Sequence, residues 1–322
     1  MGTVSAPVLE VRDLAVGARD LEIVHGVDLV LRRGETVGVV GESGSGKSVT
    51  MLALMRLLGD PLRITRGSVR FDGKDLATLS EQEMRALRGR EIAMVYQDPM
   101  TSLHPMIRVG DQVAEVMSVH GVDAAAARRR TLELFARVGI PDPARTVRAY
   151  PHEFSGGMRQ RVVIAMALAL RPTLLIADEP TTALDVTIQQ QILGLVAELQ
   201  RELGMTTVWV THDLGVVARL VERVVVMYGG HVVEDAPVRD VFAAPQHPYT
   251  ARLLASLPNP ADDARPPLAQ IPGRPPLPTE RVDGCAFRPR CLQARDVCAQ
   301  RPPLQERGAG RAACWVPAEE WT

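Results

Sequence analysis

The sequence has no excess of charge of either sign: 37 Lys and Arg stand against 38 Asp and Glu, a formal net charge of −1. Binding nucleic acid by charge needs a basic excess, so no nucleic-acid partner is expected. Long apolar runs are also missing. The longest, residues 162–170, is cut by Arg171 and Pro172 and falls well short of the roughly 20 residues a bilayer crossing requires. The opening MGTVSAPVLEVRD has neither the basic lead nor the apolar run of a secretory signal. A cytosolic protein is therefore expected. Aromatic residues are scarce at the front, where no Phe, Tyr or Trp precedes Phe71. Cysteine is confined to Cys285, Cys291, Cys298 and Cys314, which in a reducing compartment points to a metal site or free thiols before disulfides.

What is present suffices for a large core. At 322 residues and 46% hydrophobic, the chain fits one large domain with an appendage. Apolar strands alternate with helical patterns, which predicts an α/β fold with a largely parallel sheet. Residues 36–40 read as a strand, followed by a Gly-rich turn and a helix from 46 to about 58. Residues 173–177 and 206–210 are two more buried-strand runs. Between them Ile188, Ile192, Leu195, Val196, Leu199 and Leu203 recur at helical spacing, and Gly204 marks the stop. The stretch from about 105 to 161 is helical in pattern and reads as an inserted subdomain. Residues 226–235, VMYGGHVVED, read as two short strands around Gly229-Gly230, and HPYTARLLASLP as a helix preceded by a turn. The proline density beyond Ser256 predicts an extended linker.

Three segments carry chemistry. Residues 41–48, GESGSGKS, match G-x-x-x-x-G-K-[ST] between a strand and a helix. Gly41, Ser43, Gly44, Ser45 and Gly46 would turn backbone N–H groups toward phosphate oxygens, Lys47 would reach the β- and γ-phosphates, and Ser48 would ligate Mg²⁺. In LLIADEP an apolar strand ends in two acids. Asp178 is placed to hold Mg²⁺, and Glu179 to polarise an attacking water as catalytic base. The third segment, FSGGMRQ at 154–160, lies upstream of that strand.

This third segment resembles the signature of ABC ATPases. The resemblance extends to Gln97 in VYQDP, Asp185 in TTALD and His212 in VTHD, and YPHEFSGGMRQR, QDPMTSLHP, HPYT and IPGRPPLP look like the peptide-importing subfamily in particular. It implies a P-loop nucleotide-binding domain over 8–256, with a RecA-like core, an antiparallel β-subdomain and a helical subdomain at about 103–170. A Pro-rich linker (257–280) and a small Cys-rich module (281–318) would follow. Gln97 would bridge Mg²⁺ and the attacking water while facing a membrane subunit, and His212 would contact the γ-phosphate. Ser155 and Gly157 would face ATP held on a second ATPase subunit, a related chain or a second copy, in a head-to-tail dimer steadied by Asp185. The implied partners are two membrane-spanning permease subunits and, indirectly, an extracytoplasmic solute-binding protein. The implied place is the cytoplasmic face of the membrane. The solute stays open among dipeptides, oligopeptides, nickel complexes and others.

Translation factors of the superfamily carry two ATPase halves in one chain, and this chain has one. ABC-type ATPases of DNA repair or chromosome structure carry long coiled coils between the first motif and the signature, whereas Ser48 and Ser155 here are only about a hundred residues apart. A redox- or metal-responsive regulator would centre on the cysteines. One departure from the family is the missing front aromatic, which usually stacks on adenine. Val16 or Ile23 would have to serve instead, and discrimination between ATP and GTP should be weak. Phe154, where the subfamily most often has leucine, carries no functional reading.

The four cysteines supply the thiolate count of a [4Fe-4S] cluster, which the likeness to peptide-importer tails favours. Their spacings, with five, six and fifteen residues between, lack the two-residue gaps of zinc ribbons, which leaves Zn²⁺ as the alternative. Arg288, Arg290 and Arg295 lie among them and are expected to favour thiolates. His231 and His247 read as structural histidines.

Overall fold

The computed structural model describes residues 6–181, 185–257, 270–277, 280 and 282–321. In chain order the strands are β1 (Pro7–Ala18), β2 (Leu21–Arg32), β3 (Thr36–Val40), β4 (Arg63–Phe71), β5 (Lys74–Asp75), β6 (Ile92–Val95), β7 (Leu174–Asp178), β8 (Thr206–Thr211), β9 (Arg223–Tyr228), β10 (His231–Pro237), β11 (Gln305–Arg307) and β12 (Gly310–Ala312). The helices are α1 (Lys47–Leu54), α2 (Glu81–Leu87), α3 (Pro99–Ser102), α4 (Val109–Ser118), α5 (Ala124–Arg137), α6 (Pro143–Thr146), α7 (Gly156–Leu168), α8 (Val186–Leu203), α9 (Leu214–Leu220), α10 (Val238–Ala243) and α11 (Pro248–Ala255). Most of the 257–280 linker expected from sequence, and residues 182–184 of TTALD, lie outside the described residues. No helix is long and apolar enough to cross a membrane among the described residues.

The chain divides into two compact units. The first is built chiefly from Leu31–Glu35 and Asp75–Val208. Its strands β6 and β7 pair in parallel, Ile92 opposite Leu174 and Val95 opposite Ala177, and every residue of both strands is buried. Parallel strands covered on both faces read as continuous apolar runs, which is why IAMV and LLIAD show no alternation. Helix α7 buries Val162, Val163, Ile164, Ala165, Ala167 and Leu168, so it sits inside a helical layer rather than on its surface. Helix α8 buries Ile192, Leu193, Val196 and Leu199 on one side and stops at Gly204, which takes the left-handed conformation at φ +63°.

The second unit comprises Leu9–Val30, Thr36–Lys74 and the chain from Trp209 onward. β1 pairs antiparallel with β4, Leu9 opposite Phe71 and Val16 opposite Ile64, with a bulge between Arg12 and Val16. In the other sheet this unit's strands run in the order β11-β12-β10-β9-β3. β3 is parallel to β9, and β9 turns back into β10 through Gly229 and Gly230, both at positive φ (+52° and +79°). A two-residue hairpin loop with both residues left-handed matches the strand twist and favours Gly-Gly. The helix expected from 46 to about 58 is shorter: α1 ends at Leu54, and Arg56 adopts φ +51°.

The cysteine-bearing tail, set apart as a module by its sequence, is part of this second unit. β12 pairs with β10, Glu234 opposite Ala312, so the tail extends an existing sheet. Phe287 is buried among Tyr228 and Tyr249, with ring centroids 5.2 and 5.4 Å away. A segment too small for a core of its own borrows one.

Candidate active site

In the second unit, residues 41–48 join the fully buried β3 to α1. Gly41 lies at φ +154°, and a Cβ there would stand 2.1 Å from the Met227 carbonyl oxygen and 2.8 Å from Ser45 Oγ. Gly44 and Gly46 also have positive φ (+78° and +95°). Gly46 starts α1 in the left-handed conformation with no side-chain cap, and the first turn holds no acid. A helix N-terminus of this kind, uncapped and without an acid, favours an anion. Lys47 is buried, and its Nζ donates to the carbonyl oxygens of Gly41 (2.8 Å) and Glu42 (3.0 Å), which aims the ammonium back over the loop. The Ser45 hydroxyl is buried without a hydrogen-bond partner. Ser43 and Gly44 are exposed, and Ser48 is half-buried. This cradle fits a triphosphate: a helix N-terminus, a buried cation and an orphaned hydroxyl belong to one loop.

The loop is tied down from the tail. The Glu42 carboxylate takes a two-pronged bond from Arg290, Nη1 at 2.7 Å and Nη2 at 3.1 Å. The Arg290 side chain is 5% exposed and also donates to Tyr228 Oη and the Pro272 carbonyl. The Glu42 backbone N–H donates to Tyr249 Oη (2.9 Å). Nothing in the sequence beyond a charge beside Gly41 announced this cluster. His212 follows β8, is exposed, and stands beside Asp213, which caps α9 by accepting from the Gly215 N–H (2.8 Å).

In the first unit, buried Asp178 ends β7, and the chain turns at once through Glu179 at φ +45°. A non-glycine residue held there is strained, and such strain concentrates at functional positions. Gln97 Nε2 donates to Glu179 Oε2 at 2.9 Å, so two residues 82 apart meet. Ser155 caps α7, its hydroxyl accepting from the Met158 N–H at 3.3 Å. Asp185 caps α8 by accepting from the Ile188 N–H at 2.9 Å. Ile188 also lies against Gly157, where an added Cβ would come within 2.6 Å of its Cγ2. The signature helix and the TTALD cap thus adjoin through one isoleucine. Phe154 is buried beside them in sequence and packs as core.

The four cysteines line one small cavity together with His247, Phe287 and Val316. All four are free thiols, and among the described residues no three His, Cys, Asp or Glu side chains are arranged to hold a single metal ion. The expectation that nearby arginines favour thiolates needs correcting. Burial raises the thiols of Cys285, Cys314 and Cys291, the last to about 11, while Arg290 is drawn to Glu42 and Arg295 to Glu320. His247 is structural: its Nδ1 accepts from the Tyr249 N–H (3.1 Å), and burial holds it down to about 3. Val16, expected as a base contact, is fully buried within the β1–β4 pair, while Ile23 lines a cavity.

Residues 24–182 match the ABC transporter family model, and residues 233–298 match the oligopeptide/dipeptide transporter C-terminal region. The oligopeptide transport ATP-binding protein OppD of Bacillus subtilis is 51% identical over 304 residues, which cover 92% of this chain and 85% of that protein. The chain belongs to the ABC transporter family. OppD of Salmonella typhimurium is 48% identical over 97% of this chain and 95% of its own length. Among solved structures, this ABC chain is similar to the dimeric ATP-binding cassette MJ0796 in a post-hydrolysis state with ADP and Pi. The TM-score is 0.64 at 28% identity, over 72% of this chain and 99% of that one. It is likewise similar to cbiO1 of Clostridium perfringens, with a TM-score of 0.64 at 29% identity, over 74% of this chain and 91% of that one. The α/β cassette fold read from the sequence is thereby established, and the ABC family places the G-x-x-x-x-G-K-S loop in an ATP-binding protein.

Proposed function

We propose that this chain is the ATP-hydrolysing subunit that energises import of peptides through two separate membrane-spanning permease subunits, at the cytoplasmic face of the membrane. The observation that carries the reading is the match along nearly the whole chain, tail included, to oligopeptide transport ATP-binding proteins. Within this reading residues 8–256 are the ATPase domain, with its helical part at about 103–170, 257–280 are a linker and 281–318 the Cys-rich segment.

Residues 41–48 hold the triphosphate, with Lys47 on the β- and γ-phosphates. Ser48, Gln97 and Asp178 would hold Mg²⁺, which supplies charge neutralisation at the phosphates. Glu179 takes a proton from the attacking water as the water oxygen bonds the γ-phosphorus and the β–γ bridge breaks. The bond from Gln97 to Glu179 supports a shared task of orienting that water. His212 steadies the γ-phosphate. Ser155, Gly157 and Asp185 serve a second ATPase subunit, a related chain or a second copy, arranged head to tail. A solute-binding protein acts on the far side of the membrane. Glu179→Gln should lower ATP turnover on the order of a hundredfold or more while leaving ATP binding intact. Turnover at the parental rate in the assembled transporter overturns the assignment.

In the tail, the cavity shared by Cys285, Cys291, Cys298 and Cys314 supports a [4Fe-4S] cluster with one thiolate per iron. The gaps of five, six and fifteen residues between the cysteines, without the two-residue gaps of zinc ribbons, make Zn²⁺ the alternative. Bound there, the group would supply a staple to a segment that lacks a core of its own. Anaerobically purified full chain should contain four irons and absorb broadly near about 400 nm. One zinc and no iron overturns the cluster.

A further inference from the structure

A cavity of about 400 Å³ opens beside Gly44 of the phosphate loop. It runs past Ile23 and His25 of β2 and His231 of β10 to Ala286 and Arg301 of the cysteine-bearing tail. The His25 and His231 rings stack with centroids 4.5 Å apart and planes 23° from parallel. Burial, then Arg301 and His25, hold His231 down to about 3, and burial with Arg301 lowers His25 as well. Both rings are therefore uncharged near neutral pH. Arg301 Nη2 lies 2.9 Å from His231 Nε2, and since a guanidinium only donates, the His231 ring proton sits on Nδ1. Arg301 forms no ion pair among the described residues.

We infer that this cavity seats the purine base of the nucleotide, stacked on the His25–His231 pair and met by Arg301. The inference rests on the ATP-binding reading of residues 41–48. Gly44 lines the cavity, so the cavity adjoins the phosphate cradle, within reach of a nucleoside attached to the phosphates held there. Two uncharged aromatic rings offer the stacking face that a chain with no Phe, Tyr or Trp before Phe71 otherwise lacks. Asp20, Glu22, Glu280 and Asp283 also line the walls, which disfavours a further phosphate there and suits a neutral base with ribose hydroxyls. Arg301 has donors to spare, and both purines present an acceptor at N7, with guanine adding O6. The site therefore accepts GTP about as well as ATP. Arg301 lies between Cys298 and Cys314, so the tail builds part of the nucleotide site.

Equilibrium binding of ATP, GTP and inorganic tripolyphosphate to the full chain tests this. His231→Ala and Arg301→Ala should each weaken ATP roughly fivefold to fiftyfold. They should leave tripolyphosphate affinity unchanged, and His25→Phe, which keeps a ring, should lose less ATP affinity than His25→Ala. GTP should bind within about tenfold of ATP. Equal losses for tripolyphosphate and ATP would place the effect in the phosphate cradle or the fold and overturn the base site. So would parental ATP affinity in the alanine variants while Lys47→Ala binds neither ligand. If Lys47→Ala itself binds ATP at the parental affinity, the nucleotide reading of residues 41–48 falls first.

Discussion

Helices α1 and α7 both begin at a functional motif, yet their N-termini are finished in opposite ways. α1 starts on left-handed Gly46, with no side-chain cap, no acid in its first turn and a buried lysine as its first residue. α7 starts on Ser155, whose hydroxyl already takes the Met158 N–H, and both Ser155 and Gly156 are exposed. Every helix start leaves amide donors unused within the helix. At α1 no side chain caps them, and the helix opens on the phosphate loop of the same chain. At α7 one is satisfied by the Ser155 side chain, and Gly157 in the same turn is buried. A phosphate-binding start is thus marked by what is withheld: a cap, an acid and a Cβ.

The sharpest way to break this contrast is Gly41→Ala. The new methyl must displace the Met227 carbonyl from 2.1 Å in a conformation that only glycine adopts readily, so ATP binding should be lost, as titration calorimetry would register. Retained binding within tenfold of the parent would mean the cradle yields more easily than its packing indicates. Next comes Arg290→Ala, which strands the Glu42 carboxylate beside the same loop. Breaking a buried pair costs about 3–5 kcal/mol. Since Glu42 is 26% exposed, a loss of about 2–4 kcal/mol in denaturant unfolding is expected, partly recovered in the double variant with Glu42→Ala. Smallest is Ser155→Ala, which removes an exposed cap worth about 1 kcal/mol. ATP binding by the isolated chain should not change. A large loss of binding there would erase the distinction between the two helix starts.

The features that were legible in the sequence are those written in consecutive residues. The strand–loop–helix over 36–54, the periodic apolar face of α8 with its Gly204 stop, and the Gly-Gly hairpin each follow from local chemistry. The meeting of Gln97 with Glu179 across 82 residues carries no local mark, and those two were singled out only through their family motif and strand-end position. Where neither periodicity nor motif helped, the reading went astray. Arg290 was grouped with its cysteine neighbours, though a carboxylate 248 residues away takes both its prongs. Val16 lies in a run of four consecutive buried residues, 14–17 of β1, which a sequence reading of it as a base contact does not register. The three-residue β12 is too short to show a strand pattern, so its pairing with β10 went unseen and the tail looked detached.

The span between Glu42 and Arg290 also has a meaning in time. A ribosome adding roughly 5–20 residues per second needs roughly 12–50 seconds to travel from one to the other. Throughout that interval the phosphate loop exists with its carboxylate unanswered, and Tyr249, which receives the Glu42 N–H, arrives only late in the same interval. A nascent or truncated copy that stops short of Arg290 therefore carries the whole loop motif but lacks its anchor. The loop, among the first parts to be made, is completed by one of the last.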